Sequence, residues 1–540
     1  MTGTLLVVGD VHTLDPTGPR VGAVAVRDGR IVAVGDVRDL RRLLPTGTPE
    51  LAPPGAVVLP GFVDSHVHLM WAGRAADRVA LDDAGGIRDL QDRIAGYAQR
   101  HPDRPWIEAN AGFDPGDLAE RRLPNAAELE AAAPGRPVLL DRKGHDGIVN
   151  LTALRLAGIT AATPDPPGGR IERYADGTPT GLLVEHPAVA LVRAVIPAPD
   201  EAARVGWIAA GQRRLLGHGI TTAVDPAVPA AELVAYAAAA RCGALRLRTV
   251  AMPLGSDDVD DAALRRTIDE LDFDRIAPEV LRAGPTKLFL DGGGSLGTAL
   301  RSAPWPGTGD YHGQQSLRTQ TLRAHCVAAA AAGRGVGVHA VGDAAIDLTL
   351  TVLAEVATAT PIAGLGFHLI HAYLGPSAPA MAAARRLGVP VSAHPALQWA
   401  FGPNLIERLG EPTAATANPL RSWLDAGVTV GGGSDGPGPP MSVLHGMWQA
   451  RTRRIRGRAE PLGPEQAITA AEALALFTSG AARVAGNPAA GWGSGLLRAG
   501  APADLVVLDV DPLTPDADAL LAGTVLATVV AGEVRHYAGS

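Results

Sequence analysis

Short apolar runs bounded by turns open and close the chain, and apolar runs alternating with alanine-rich stretches fill the middle. The first 58 residues read as strands: TLLVVGD, AVAVRDGRIVAVG with the hairpin signal Asp28-Gly29, and AVVLP. The last 40 read alike, with ADLVVLDVD at 503–511 and TVLATVVAGEVRHYAG at 524–539, which turns at Gly532. These ends predict one small β-sandwich domain built from residues 1–58 and 487–540, with two separate β caps as the alternative.

Eight apolar runs recur between the ends: 57–66, 219–226, 247–254, 286–293, 335–342, 366–372, 389–395 and 428–435. Helical stretches such as 202–219, 320–335 and 377–388 separate them, the rhythm of parallel β/α units. The fold class predicted is α/β, a (β/α)8 TIM barrel over 59–486. Residues 72–200 break the rhythm with a further strand, PVLLDRKGH, and a Pro/Gly-rich segment at 164–181. They read as a long insertion after the first barrel strand, capping the barrel mouth.

Composition narrows the class. A chain of 540 residues, 46% hydrophobic, can bury a large core. The net charge of −8 and the absence of basic runs argue against nucleic acid, and no run approaches the roughly 18 apolar residues of a membrane span. The N-terminus shows no signal-peptide pattern, so a cytoplasmic location is expected. Two cysteines, Cys242 and Cys326, without a CxxC leave any metal to His, Asp or Glu. Of 48 basic residues only Lys143 and Lys287 are lysines, which raises the question of what arginine could not do there.

The chemistry gathers at strand ends, which in such a barrel face the active site. The first strand ends in Asp64-Ser65-His66-Val67-His68, and alternation puts His66 and His68 on one face, as a shared cation requires. Lys287 lies on the apolar strand TKLFLDGG, where burial favours a neutral amine. Such an amine can react with CO2 to give a carbamate that bridges two metals, whereas pairing with Asp291 is the plain structural alternative. His339 closes VGVHAVGD. His371 and His368 lie on HLIHAYL facing opposite ways, and His371 is preferred because it is nearer the strand end. Asp435 follows a glycine run in GGGSDGPGPP.

In this order His66, His68, Lys287, His339, His371 and Asp435 resemble the amidohydrolase superfamily, and within it the amidohydrolase-3 branch of N-substituted formamide deformylase-like and YtcJ-like metal-dependent hydrolases. LPGFVDSHVHL (59–69), RPVLLDRKGHDGIVNLTAL (136–154), DGTPTGLLVEH (176–186), KLFLDGGGSLGTA (287–299), VGVHAVGDAAID (336–347), GGSDGP (432–437) and GLLRAGAPADLVVLDVDPL (495–513) carry the likeness over nearly the whole chain. The resemblance implies an enzyme with a binuclear metal centre, expected to be two Zn2+ per chain, with Mn2+, Fe2+ or Co2+ also compatible. His66, His68 and Asp435 would hold one metal and His339 and His371 the other, with carboxylated Lys287 as bridge.

The activity implied is hydrolysis of a non-peptide carbon–nitrogen bond in a small amide by metal-activated hydroxide, with Asp435 as catalytic proton shuttle. A deaminase or cyclic amide or ester hydrolase is the alternative within the superfamily; a non-catalytic small-molecule sensor on the same fold is the alternative outside enzymes. The partner expected is the small-molecule amide, with no nucleic acid or membrane, and the assembly could be a homodimer. His145 and Glu185 fall where this branch places substrate; Asp291, four residues past Lys287, Trp71, which follows the His66/His68 pair, and His394 are further candidate substrate contacts. The chain departs from the branch at Ile370, where a Glu is usual, at His394, where Gln is frequent, and in GGGSLGTA, which lacks the usual Ser-Arg. His394 reads as a substrate contact, as an extra acid/base, or as a histidine bonded to backbone in the barrel wall.

Overall fold

The computed structural model describes all residues except 1, 2, 19, 82, 112, 114, 143–145, 167, 168, 185, 487–491 and 540. His145 and Glu185 therefore lie outside the described residues. The chain is α/β, and it divides into two compact units, residues 1–70 with 211–540, and residues 71–210.

Both chain ends of the larger unit enter one eight-stranded sheet. Its order is Glu533–Tyr537, Val525–Val530, Leu505–Leu508, Val57–Pro60, Thr4–His12, Arg20–Arg27 and Arg30–Gly35, with Glu50–Leu51 beside Thr4–His12. The ends meet directly where Val57–Pro60 runs antiparallel to Leu505–Leu508. Asp28 and Gly29 both adopt positive φ, 52° and 76°, the conformation a two-residue hairpin needs. Leu5, Val7, Val11, Val24, Val58, Leu505 and Val507 are among the residues of its core.

The expected strand 57–66 is two strands. Val57–Pro60 stays in the terminal sheet, and Phe62–Asp64 runs parallel to Ile220–Val228. Gly61 is the crossing point: its N–H donates to Asp504 and the next, at Phe62, donates to Gly219. Any Cβ at Gly61 would collide with the Thr221 side chain, so the switch needs glycine.

Phe62–Asp64, Ile220–Val228, Arg248–Pro253 and Leu281–Ala283 form one parallel sheet. Thr286–Phe289, Val336–Ala340, His368–His371, Val391–Ala393 and Val430–Gly432 form a second. The run expected at 286–293 starts at Thr286 but stops at Phe289, and a separate short strand, Leu281–Ala283, precedes it. Leu281–Ala283 pairs with Thr249–Ala251, and Lys287 resumes the pairing at Leu254. Between them Gly284-Pro285 interrupts the ladder, because proline has no N–H to give. At the other margin Ser65 donates to Gly432, Asp435 to His66 and His68 to Gly436, lacing the first and last strands together. A buried ion pair, Arg248 to Asp504 at 2.6 Å, ties the first parallel sheet to the terminal sheet.

Residues 71–210 carry their own six-stranded sheet, in the order Arg170–Arg173, Pro179–Val184, Asp146–Val149, Val138–Arg142, Ile107–Asn110, Val79–Ala80. The helix Ala126–Ala132 begins with a capping box, in which Asn125 and Glu128 each accept from the other's backbone N–H. Among the described residues no helix is long and apolar enough to cross a membrane.

Candidate metal centre

Strand alternation and two departures from it assemble the site. Lys287 and Phe289, two apart on one strand, share a face, and the Lys287 Nζ stands 4.5 Å from the Phe289 ring centroid. Phe289 is in register with His339, and their rings lie 5.2 Å apart. His371 is different. In register it pairs with Ala340, one position off His339, so a regular strand would turn it away. Its φ of 72° brings it back, and its ring reaches 4.6 Å from that of His339. Asp435 likewise has φ 55°. Two non-glycine residues in the left-handed region at one site mark a backbone bent to place side chains.

His66 Nε2 lies 3.3 Å and His68 Nε2 3.5 Å from Asp435 Oδ1. The three are close enough to serve one ion. Zinc bonded to nitrogen and oxygen at about 2.1 Å in tetrahedral geometry separates its ligands by about 3.4 Å, so the spacing fits. The rings of His66 and His371 are 5.3 Å apart, joining this group to the His339–His371 pair.

The free ring nitrogens can be traced. His339 Nε2 faces the Gly292 carbonyl at 3.2 Å, and its buried Nδ1 has no hydrogen-bond partner among the described residues. His371 Nδ1 faces His394 Nδ1 at 3.1 Å, which leaves its Nε2 for other use. A metal-bound histidine typically gives its second ring nitrogen to such a partner. Lys287 Nζ is fully buried and also without a hydrogen-bond partner among the described residues, so the pairing with Asp291 does not form.

Burial sets the charges. It holds His66 and His371 well below the usual imidazole range and pushes His339 down to about 3 and His394 to about 4, which keeps the rings in the neutral form that metals bind. Burial also pushes the Lys287 amine down to about 7, with Asp435 and Asp291 pulling the other way. Asp435 is the exception. Burial disfavours its charge, but the His66 and His68 imidazoles beside it outweigh this and hold it well below the usual carboxylate range.

The remaining expected residues separate. His394 packs 4.9 Å from His66 and 4.5 Å from His371, ring to ring. Asp291 gives its carboxylate to three backbone N–H groups, of Leu300, Val341 and Gly342, each at 2.9 Å. Trp71 opens the 71–210 unit, on the helix Leu69–Ala76, and is half exposed. His368 shares the face of Gly337, whose Cβ would meet its ring, and its Nδ1 faces the Gly366 carbonyl at 2.9 Å.

Two carboxylates were missed. Asp64 accepts from the backbone N–H of His66 and of Ser434, each at 3.0 Å, and burial pushes it up to about 7. Asp225 accepts from Tyr236 and from the Met70 N–H, and burial pushes it up to about 6 against the pull of His68. Their signal was a carboxylate at the end of an apolar strand, the same signal that picked out Asp435.

A model of the amidohydrolase family matches residues 54–536, nearly the whole chain. The chain belongs to the amidohydrolase family. It is accordingly a hydrolase acting on carbon–nitrogen bonds. A short second match, to an imidazolonepropionase-like composite domain of bacteria, covers residues 22–46, two strands of the terminal sheet and the helix Val37–Leu43. This amidohydrolase is 30% identical to an N-substituted formamide deformylase of Arthrobacter pascens, over 99% of the chain and 98% of the relative. It is 29% identical to a putative amidohydrolase, YtcJ, of Bacillus subtilis, over 98% of each. A solved uncharacterized metal-dependent hydrolase from Pyrococcus furiosus shares its fold, with a TM-score of 0.76 and 24% identity over 95% of this chain and all of that one.

Proposed function

We propose that this amidohydrolase cleaves a non-peptide amide of a small molecule at a two-metal centre, on a pair of parallel sheets closed as a (β/α)8 barrel. The observation that carries the reading is Lys287: a fully buried amine without a hydrogen-bond partner among the described residues, sharing a strand face with the residue opposite His339. An isolated buried ammonium is costly, and arginine, this chain's ordinary cation, could not replace it as a carbamate. His66, His68 and Asp435 would hold one metal, His339 through Nδ1 and His371 through Nε2 the other, with carboxylated Lys287 between them. The orphaned buried nitrogens fit that set, and hard nitrogen and oxygen donors suit zinc.

Bound there, the metals supply an activated water and polarise the substrate carbonyl. The chain's own part is proton handling and orientation. Asp435, a carboxylate beside His66 and His68, takes a proton on a carboxylate oxygen and passes it to the leaving nitrogen, giving a carboxylic acid and an amine. His394 holds His371, and its buried Nε2, without a hydrogen-bond partner among the described residues, is the group we assign to a polar atom of the substrate. The similarity to a deformylase of N-substituted formamides makes formamides the first substrates to try.

The test is metal analysis and hydrolysis of formamides, acyl amines and lactams by wild type and Lys287→Ala. Close to two metals per chain, falling together with hydrolysis in the variant, supports the reading. Full activity and unchanged metal content in Lys287→Ala would overturn it.

A further inference from the structure

A second group of metal-type donors lies in the terminal sheet. Asp10 and His12 end the strand Thr4–His12, and Asp511 follows the strand Leu505–Leu508. His12 is 2% exposed, and its Nε2 is buried without a hydrogen-bond partner among the described residues. That nitrogen points between two carboxylates, 3.5 Å from Asp10 Oδ2 and 3.6 Å from Asp511 Oδ2. Both distances are too long for a hydrogen bond of ordinary strength. Both are close to the about 3.4 Å edge of a tetrahedron of nitrogen and oxygen ligands around zinc. All three donor atoms lie within 4.8 Å of one another.

We propose that Asp10, His12 and Asp511 bind a single divalent cation of zinc type, which staples the first strand of the chain to its C-terminal segment. Asp511 is prepared for this: its Oδ1 accepts from the Leu513 N–H at 2.9 Å, which turns Oδ2 toward His12. Arg20 presently neutralises the acids, 3.2 Å from Asp10 Oδ2 and 2.9 Å from Asp511 Oδ2. Its side chain is 54% exposed, so it can leave for solvent at little cost. It also leaves His12 Nε2 unserved, and that is the atom a cation would satisfy. The half-open carboxylates, 46% and 30% exposed, give an ion a way in and leave a fourth position for water.

The arginine makes the site testable, because a cation site and a plain ion-pair cluster respond to its loss in opposite directions. Full-length protein is saturated with zinc chloride, crystallised and examined by anomalous scattering at the zinc edge, while zinc content and thermal midpoint are followed in solution. Expected are a peak among Asp10, His12 and Asp511, and one zinc fewer per chain in Asp511→Asn with hydrolysis unchanged. Arg20→Ala should bind zinc severalfold more tightly, with a larger rise in melting temperature on zinc addition. No peak there at saturating zinc, or weaker zinc binding by Arg20→Ala, overturns the proposal. The peak is read separately from any at His66 and His339, so either site can fail without the other.

Discussion

His371 and His394 face each other through their Nδ1 atoms at 3.1 Å, deep in the protein and away from water. One ring must donate and the other accept, so the contact makes the two tautomers complementary: a metal on His371 Nε2 would make His371 the donor and leave the proton of His394 on Nε2. His394 is thus a positioning residue for His371 as well as the proposed substrate contact.

Replacing His394 with Ala should lower metal content and reduce kcat/KM by roughly 10–100-fold, as loss of a partner behind a metal ligand does. His394→Asn keeps a polar group near His371 Nδ1 and should retain more metal than His394→Ala. Metal analysis beside steady-state kinetics checks this; equal metal loss in both variants would remove the positioning role.

Gly433 lies against the same cluster. A Cβ there would stand 2.9 Å from the His66 backbone nitrogen, 3.0 Å from its Cβ and 3.1 Å from the His394 ring. Gly433→Ala should destabilise the fold by about 1–3 kcal/mol through overpacking. It should also displace His66 and lower activity more than that stability loss explains. Urea unfolding and kinetics at matched folded fraction read the two effects apart.

Lys287 should show a conflict between stability and function. The folded amine titrates near pH 7 and the unfolded one near 10.5. Between those values the unfolded chain holds more protons, so Lys287 makes metal-free stability rise with pH. Below pH 7 the penalty is complete and constant, a few kcal/mol. Lys287→Met, near in volume and uncharged, should therefore exceed metal-free wild type in stability, most clearly at about pH 6 and least above about pH 10. Its hydrolysis should fall by roughly a thousandfold or more, as loss of several kcal/mol of transition-state stabilisation implies. Denaturant titrations across this range, with carboxylation prevented by CO2-free buffer, supply the check.

Arg248 and Asp504 form a buried pair in which Arg248 Nε and Nη2 donate to the two carboxylate oxygens at 2.6 and 3.0 Å. Asp504 also accepts from the Ala531 N–H at 2.8 Å. Asp504→Ala strands a buried guanidinium and should cost about 3–5 kcal/mol. Replacing both partners with apolar residues should cost less than the single change, which a double-mutant cycle in urea measures.

The metal-type residues were legible because each stands at the end of an apolar strand, and a period of two is enough to place His66 beside His68. The lysine stood out by contrast with the arginines around it. Other features were hidden for physical reasons. The split at Gly61 is invisible in a continuous apolar run, since it depends on Asp504 and Gly219 offering carbonyls on different sides. Asp291 reads in sequence as a partner for Lys287 or a substrate contact, yet three backbone amides converge on it, one nine residues on and two about fifty residues on.

Sequence by itself determined the α/β class and the terminal strands with their Asp28-Gly29 turn, and it put forward the set of histidines, lysine and aspartate. These follow from local periodicity and from residue chemistry that holds wherever the chain goes. Tertiary structure decided which of them meet. Alternation alone would turn His371 away from His339; only a left-handed backbone at His371, held by the packing around it, brings the rings within 4.6 Å. Likewise His12 and Asp511, almost the whole chain apart, become neighbours only because the two ends share one sheet. Contacts of such sequence separation leave no local pattern, so the folded chain alone can show them.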